Sequence, residues 1–282
     1  MKRTDFRFTE ALRVRWAEVD MQQVVFNAHY LMYVDTALAG YWRAAALPYE
    51  ATLAALSGDL FVRKASLEYH APARYDDALA VGIRLEGTGN STLRFAAGVF
   101  RGDQLLVGGE LVYVWTDAAT RRPSPIPGAL REAFAAFEAG ESMVSVEIGD
   151  WAALGPEAQP LRTTVFVEEQ GVPQTIERDV LDAGAVHALA RNRLGLPLGT
   201  GRLLADPPRI GRMAVRRDLR GAGVGERLLA ALSAAAAARG DAELSLHAQV
   251  SAIGFYRRAG FEPHGEPFEE AGIGHQEMRR RL

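Results

Sequence analysis

The chain contains 282 residues, about twice the commonest size of a single domain, so its length predicts two domains. Hydrophobic residues make up 48% and charged residues 24%, which is ordinary globular composition and excludes a disordered chain. The net charge of -3 gives no basic excess, so nucleic-acid binding is not expected, and the absence of cysteine excludes disulfides, thiolate metal sites and a cysteine nucleophile.

The N-terminus and the hydropathy predict a cytoplasmic protein without a membrane partner. The opening residues, MKRTDFRFTE, are charged and lack the apolar core of a signal peptide. The most membrane-like run, residues 228–238, is far shorter than the ~20 residues that a membrane-spanning helix needs.

The first half has the pattern of an α+β domain. Strand character over residues 7–17 precedes an amphipathic segment whose apolar residues recur at helical spacing until Pro48. From Leu60 the period changes to two, and turn signals at residues 86–90 and 102–103 separate successive strands. One long helix followed by a strand meander indicates a helix on one face of an antiparallel sheet.

The second half alternates helices and strands, as expected for an α/β domain. The Pro-rich segment RRPSPIPG and the polar segment AGES place the boundary near residue 140, giving domains 1–140 and 141–282. A helix is expected over residues 161–170, followed by strands over 186–191, 197–204 and 210–215. A glycine loop, a helix ending at Gly240, the strand LSLHAQ and the short helix SAIGFYRRAG complete the chain. No internal repeat links the halves, which indicates a fusion.

The first candidate site lies in RVRWAEVDMQQVVFNAHYLMYVDTA, where an Asp and a V-V loop precede an Asn/His-rich helix start. With EYHAPARYDD and the strand meander, residues 5–138 resemble the hotdog-fold acyl-CoA thioesterases of the 4-hydroxybenzoyl-CoA thioesterase and YbgC-like branch. The resemblance implies a hotdog fold, hydrolysis of acyl-CoA and a site formed between two subunits, and so at least a homodimer.

The resemblance makes Asp20 the general base or nucleophile, and gives Asn27 the role of orienting the thioester or the water. The helix N-terminus after Asn27 offers free N–H groups and partial positive charge where an oxyanion would form. From the residues alone, an Asp before a helix is more often a cap or turn residue. His29 is structural or lines the substrate. Gln23 stands where the family usually has Gly, and its side chain must point away from the pocket or narrow it.

The second candidate site is IGRMAVRRDLRGAGVGERLL, where a glycine loop lies between a strand and a helix. Small residues let successive backbone N–H groups approach a pyrophosphate, and the helix dipole adds positive potential. A Rossmann motif fails because Glu226 occupies the position of its third glycine, and a P-loop fails because no Gly-Lys-Ser/Thr follows.

This loop fits the R-x-x-G-x-G/A signature of the GNAT acetyltransferases. Residues 144–282 resemble the ElaA-like branch through VFVEEQGVPQTIERDVLD, LGTGRLL and GIGHQEM. The resemblance implies a mixed sheet and transfer of acetyl from acetyl-CoA to an amine acceptor. It assigns the pantetheine and the acetyl carbonyl to the backbone of Met213, Ala214 and Val215. It assigns the pyrophosphate to Arg220, Gly221, Ala222, Gly223, Val224 and Gly225.

The same resemblance makes Tyr256 the acid that protonates the CoA thiolate. A phenol with an ordinary pKa of about 10 suits the delivery of a proton to such a strong base. The alternative is a core aromatic residue beside Phe255 and Phe261. Four further residues are candidates for the acceptor side, each otherwise a surface or structural residue: Glu168, Glu169, His187 and His275. The six histidines show no paired ligand spacing, so no metal is expected.

The sequence therefore predicts a bifunctional CoA-thioester enzyme, with a hotdog acyl-CoA thioesterase domain and a GNAT acetyltransferase domain. The alternative is an acetyltransferase whose hotdog half is a non-catalytic acyl-CoA-binding or dimerisation module. A loss of hydrolysis in Asp20→Asn with intact acyl-CoA binding would distinguish the two.

Overall fold

The structure is a computed structural model that describes residues 1–282, and it contains two compact units, Met1–Met143 and Val144–Leu282. None of its helices is both long enough and apolar enough to cross a bilayer. The predicted α+β fold of the first half and the mixed α/β fold of the second are both present.

The first unit is a five-stranded antiparallel sheet with three helices. The sheet order is β1-β3-β4-β5-β2, so β1 and β2 form its two edges. Its elements in chain order are β1 (Phe8–Arg13), α1 (Asn27–Ala44), α2 (Tyr49–Ala55), β2 (Gly58–Tyr69), β3 (Ala78–Thr88), β4 (Thr92–Arg101), β5 (Gln104–Asp117) and α3 (Gly128–Glu138). The strand expected over residues 7–17 is shorter than predicted, because a 3-10 turn at Trp16–Glu18 ends its extended course.

Helix α1 is held against the sheet by an apolar face with helical spacing. Val34, Ala37, Leu38 and Tyr41 are buried at positions i, i+3, i+4 and i+7 of one helical face. The Tyr41 ring meets aromatic rings from β1, β4 and α3, and its hydroxyl donates to Glu138 Oε1 at 2.6 Å. Tyr41 therefore belongs to the core between α1 and the sheet.

The second unit is an eight-stranded mixed sheet with helices on both faces. Along β11-β13-β10-β9-β8-β7-β6 the neighbours are antiparallel except β9 and β10, and β12 pairs with β13. Its elements in chain order are β6 (Val144–Gly149), α4 (Trp151–Arg162), α5 (Gln174–Glu177), β7 (Val186–Asn192), β8 (Pro197–Leu204), β9 (Arg209–Val215), α6 (Val224–Arg239), β10 (Glu243–Gln249), α7 (Ile253–Arg258), β11 (Glu262–Pro263), β12 (Phe268–Glu270) and β13 (Ile273–Arg281).

Helices α4 and α6 cover opposite faces of this sheet. Leu189 packs against α4 and lies directly opposite Thr200, so Thr200 shares that face. Gly199 and Gly201 point to the other face, where leucines of α6 approach within 3.1 and 2.8 Å of the positions that their β-carbons would occupy. Glycine at these two positions lets α6 pack closely on β8.

The helix predicted over residues 161–170 is the end of a longer helical segment. Asp150 caps α4 by accepting a hydrogen bond from the amide of Ala153 at 2.8 Å, so the helix begins ten residues earlier than predicted. Beyond Arg162 the chain continues as a π-helix over Thr163–Glu169. Pro160 removes an amide donor just before this change, which favours the looser winding.

Candidate functional sites

Asp20 lies in a tight loop immediately before α1. Its amide donates to Val24 O at 2.9 Å, its carbonyl accepts from the amide of Gln23 at 3.0 Å, and its Oδ1 accepts from the amide of Gln22 at 2.8 Å. Gln23 has a φ of +62°, a left-handed conformation that favours glycine. The loop thus keeps a glycine-like backbone at the position where Gln23 replaces the expected Gly.

The N-terminus of α1 is left without a side-chain cap. Phe26 occupies the cap position, and the amides of Asn27 and Ala28 have no acceptor within the protein. The Asn27 side chain is exposed, while its carbonyl accepts a hydrogen bond from the Tyr69 hydroxyl at 3.2 Å. His29 is half-buried, with Nδ1 buried and unpartnered. This helix end therefore presents unpaired N–H groups close in sequence to Asp20.

Glu18 fixes the loop to α1, a role that the sequence analysis did not identify. Its buried carboxylate accepts hydrogen bonds from the Tyr33 hydroxyl at 2.6 Å and from the amide and side chain of Arg15. Burial alone would raise the pKa of Glu18, but these bonds lower it overall. The sequence contained a local signal for this role, because Glu18 lies three residues after Arg15. A capping box, in which a side chain bonds back to the amide at the start of a helical turn, needs this spacing.

In the second unit the predicted cofactor residues form one continuous stretch from the end of β9 to the start of α6. Strands β9 and β10 pair only at Ser245 with Arg209 and at Leu246 with Ile210. The edge of β9 that carries Met213, Ala214 and Val215 on the side of β10 is therefore unpaired. A gap of this kind leaves backbone donors and acceptors free for a bound chain.

The glycine loop ends in an uncapped helix. Gly221 and Gly223 have φ values of +83° and +81°, and Gly223 occupies the N-cap of α6. The amides of Gly223, Val224 and Gly225 have no acceptor within the protein. Arg220 holds the loop by donating to Val215 O at 3.2 Å and to Glu169 Oε2 at 2.6 Å. The loop thus leaves three free amides at the positive end of the helix dipole.

Tyr256 is 9% exposed and lies on α7, between the rings of Phe255 and Phe261. Its hydroxyl makes no hydrogen bond within the protein. Burial raises the pKa of Tyr256 to about 12. The phenol is therefore a protonated donor throughout the neutral range.

A pocket opens on the face of the sheet that α4 covers. The side chain of Gln249, at the end of β10, crosses to Gln170 with an Nε2–Oε1 distance of 2.9 Å, and His275 on β13 lies directly opposite Gln249. The lining residues are Phe166, Gln170, Val172, Ile176, Glu177, Arg212, Gln249, Glu270, Ala271, Ile273 and His275. Arg212 reaches this face from a β-bulge at a φ of +51°, a placement that no pattern in the strand indicated.

The four candidates for the acceptor side have different surroundings. His275 lines the pocket, whereas Glu169 is paired with Arg220 and Glu168 is not among the lining residues. For His187 the structural alternative applies, because its side chain is 1% exposed, lies tilted against the Trp151 ring at a centroid distance of 4.8 Å and has its Nε2 2.9 Å from Asp182 O. Burial lowers the pKa of His187, so this imidazole is a neutral core residue.

Comparisons with known proteins match the two halves of the chain to two different family models. A thioesterase-like superfamily model matches residues 14–134, and an acetyltransferase (GNAT) domain model matches residues 152–282. The uncharacterized N-acetyltransferase YjcF of Bacillus subtilis is 35% identical over 123 residues, covering 43% of this chain and 87% of that protein. Protein ElaA of Escherichia coli is 36% identical over 128 residues, covering 43% of this chain and 84% of that protein.

A solved structure of a Thermus thermophilus thioesterase in complex with coenzyme A and Zn is 28% identical, with a TM-score of 0.42. The match covers 48% of this chain and 97% of that one. The chain is thus a CoA-thioester-acting protein that belongs to the GNAT acetyltransferase family through its second half, while its first half has the hotdog fold and matches the thioesterase-like superfamily model.

Proposed function

We propose that the protein is a bifunctional enzyme that hydrolyses acyl-CoA thioesters in its first unit and transfers acetyl from acetyl-CoA to an amine in its second. The observation that carries the proposal is the gap between β9 and β10, which lies between a glycine loop with three free amides and a polar pocket. The gap suits an extended pantetheine arm, because the edge of β9 keeps its own hydrogen-bonding groups free there.

In the proposed transfer, the pyrophosphate of acetyl-CoA binds at Gly221–Gly225 and the thioester lies beside Met213–Val215. The amine enters through the pocket on the opposite face of the sheet. Its nitrogen attacks the thioester carbonyl, a C–N bond forms and the C–S bond breaks. Tyr256 then donates its proton to the departing thiolate, a role that its raised pKa supports because the phenol stays protonated.

In the proposed hydrolysis, the thioester carbonyl lies at the uncapped N-terminus of α1, whose free amides stabilise the oxyanion. Asp20 takes a proton from the attacking water, or attacks the carbonyl itself, and Asn27 orients the reacting group. The products are a carboxylic acid and CoA. The loop that holds Asp20 by three hydrogen bonds within residues 20–24 supports this placement.

We also propose that two copies of the first unit associate through β2. This strand is a sheet edge of 12 residues, and its outer part exposes Phe61, Val62 and Tyr69 by 46%, 54% and 51%. A long edge strand with exposed apolar side chains favours pairing with a second strand. Size-exclusion chromatography with light scattering should give a mass near twice 30.7 kDa.

One observation favours a second candidate for the first unit, namely a binding or dimerisation module without chemistry. Gln23 keeps a side chain in a loop where the thioesterases that the sequence resembles usually have Gly, and this side chain is exposed. Release of free thiol from a panel of acyl-CoAs, without any amine, tests the two candidates. Asp20-dependent release supports hydrolysis, and acyl-CoA binding without any release supports the module.

A further inference from the structure

The pocket on the α4 face contains the imidazole of His275. A hydrogen bond to the backbone determines which of its two ring nitrogens is free to accept a proton. His275 Nδ1 lies 2.8 Å from the carbonyl oxygen of Ile273, which can only accept a hydrogen bond. Nδ1 therefore carries the hydrogen, and in the neutral ring Nε2 keeps its lone pair. The side chain is half-buried and lines the pocket.

The β12–β13 hairpin keeps this imidazole in place. Ala271 and Gly272 both have positive φ values, +53° and +76°, as a two-residue hairpin turn requires. The turn pairs Phe268 with His275, and the Phe268 ring stacks on the imidazole at a centroid distance of 6.0 Å and an interplanar angle of 23°. On its other side, Phe268 meets His247 edge to face at 4.9 Å.

The charges around the pocket favour a cation. Three arginines, Arg162, Arg202 and Arg212, pair with three carboxylates, Glu177, Asp179 and Asp182, so that cluster is balanced. Glu270 stands outside the cluster and pairs only with His247, whose Nδ1 lies 2.9 Å from Glu270 Oε2. Burial would raise the pKa of Glu270, but His247, His275 and Arg212 lower it overall. An ionised carboxylate without a permanent cationic partner therefore lies at the pocket.

We propose that the acceptor is an alkyl amine that arrives as an ammonium ion, that Glu270 binds this ion, and that His275 Nε2 is the base that deprotonates it. The proposal rests on the acetyl transfer proposed above. Glu177, Arg212 and His247 are the other titratable or charged groups around the base, and the first two are already paired.

The protons balance as follows. His275 takes the first proton from the ammonium nitrogen and releases it to solvent, which leaves a lone pair for attack. The C–N bond forms, the C–S bond breaks and Tyr256 gives its proton to the thiolate. After attack the nitrogen is strongly acidic, so its second proton leaves directly to solvent, and solvent returns one proton to Tyr256. The products are an N-alkylacetamide, the CoA thiol and one proton.

The test compares full-length wild type with His275→Gln, Glu270→Gln and the control His264→Gln, which alters an exposed imidazole of the same unit without side-chain partners. Putrescine is the cationic probe, and p-anisidine is an amine that is already neutral at pH 7.5. For putrescine we expect His275→Gln to lower kcat about 10²-fold and Glu270→Gln to raise KM about 10-fold. Rates with p-anisidine should change less than about 3-fold in either variant.

A pH profile separates a base from a structural residue. The putrescine kcat of His275→Gln should keep rising toward pH 10, where the free amine no longer needs a protein base, while wild type reaches a plateau earlier. Parallel profiles, or equal losses with both amines, would overturn the assignment of the base.

A binding measurement needs no turnover. In NMR spectra of the wild type, putrescine should shift one histidine Cε1–H resonance. The same resonance should be absent from spectra of His275→Gln. The absence of such a shift would by itself overturn the proposal that this pocket binds the ammonium ion. Failure of wild type to acetylate either amine, with the shift present, would instead reject the proposed acetyl transfer while keeping a pocket that binds ammonium ions.

Discussion

Leu246 pairs with Ile210, and beyond this pair the two parallel strands β9 and β10 separate. The separation leaves five residues of β9, Gly211–Val215, without a partner on that side, while β8 still pairs with the other edge. The unpaired edge ends at the glycine loop, so the free backbone of the strand and the free amides of α6 form one continuous surface. The proposed acetyl-CoA site depends on this continuity.

Gly223→Ala should weaken acetyl-CoA binding because it changes the backbone conformation of the loop, in addition to lowering the free energy of unfolding. A left-handed conformation costs an alanine about 1–2 kcal/mol, and relief of that strain would turn the α6 amides away from the pyrophosphate. The matched control is Gly195→Ala, because Gly195 has a φ of +79° and open space around it in the β7–β8 turn. Urea unfolding should show similar losses in both variants, and calorimetry should show at least a 10-fold loss of acetyl-CoA affinity in Gly223→Ala alone. Equal affinities would reject the loop as the pyrophosphate site.

Tyr256→Phe should lower the rate of acetyl transfer about 10²-fold while the dissociation constant of acetyl-CoA changes little. The acid form of the phenol is required, and it is lost only as pH rises through its pKa. Because burial raises that pKa to about 12, wild type should lose no activity from this group up to pH 10. Initial rates in saturating acetyl-CoA from pH 6 to pH 10 measure this, and an unchanged rate in Tyr256→Phe would remove the residue as the acid.

Asp20→Asn should reduce thioester hydrolysis by about 10²–10⁴-fold, the usual contribution of a positioned general base. The amide oxygen still accepts the hydrogen bond from Gln22, so the loop should keep its conformation. Asp103→Asn, in the exposed turn between β4 and β5, makes the same chemical change and should leave hydrolysis intact. Hydrolysis is measured as free-thiol release by the wild type and by both variants. Hydrolysis that survives in Asp20→Asn would contradict the assignment of Asp20 as the base or nucleophile.

Gln23→Gly should raise the free energy of unfolding by no more than about 1.6 kcal/mol. Glycine removes about 1–2 kcal/mol of left-handed strain but adds about 0.4–1 kcal/mol of conformational entropy to the unfolded chain. Gln23→Val should lower the free energy of unfolding, because a β-branched residue fits a φ of +62° poorly. Urea titration followed by tryptophan fluorescence provides the comparison. If Gln23→Val were more stable than the wild type, the left-handed backbone at this position would not determine the conformation of the loop.

The glycine signature and the helical period located the loop between β9 and α6, and helix α1, from sequence alone, because both depend on local backbone chemistry. The pocket on the α4 face was less accessible to sequence analysis, since it is assembled from four separate segments of the chain. His187 and His275 were equivalent as residues in the sequence. Only the sheet register shows that one is buried beside Trp151 and the other faces Gln249.

Two other features escaped prediction for physical reasons. The start of α4 is marked by Asp150, but Pro156 and Pro160 lie inside the helix and obscure its pattern. Arg212 reaches the pocket through a β-bulge, which depends on the pairing of β9 with β8.

The most direct test of two separate CoA-thioester sites is thiol release by the full-length protein with and without putrescine, in wild type, Asp20→Asn and Tyr256→Phe. Asp20→Asn should abolish release in the absence of amine and keep the amine-dependent release from acetyl-CoA. Tyr256→Phe should have the opposite effect. Loss of both reactions in either variant, with the fold intact by circular dichroism, would contradict the presence of two independent sites.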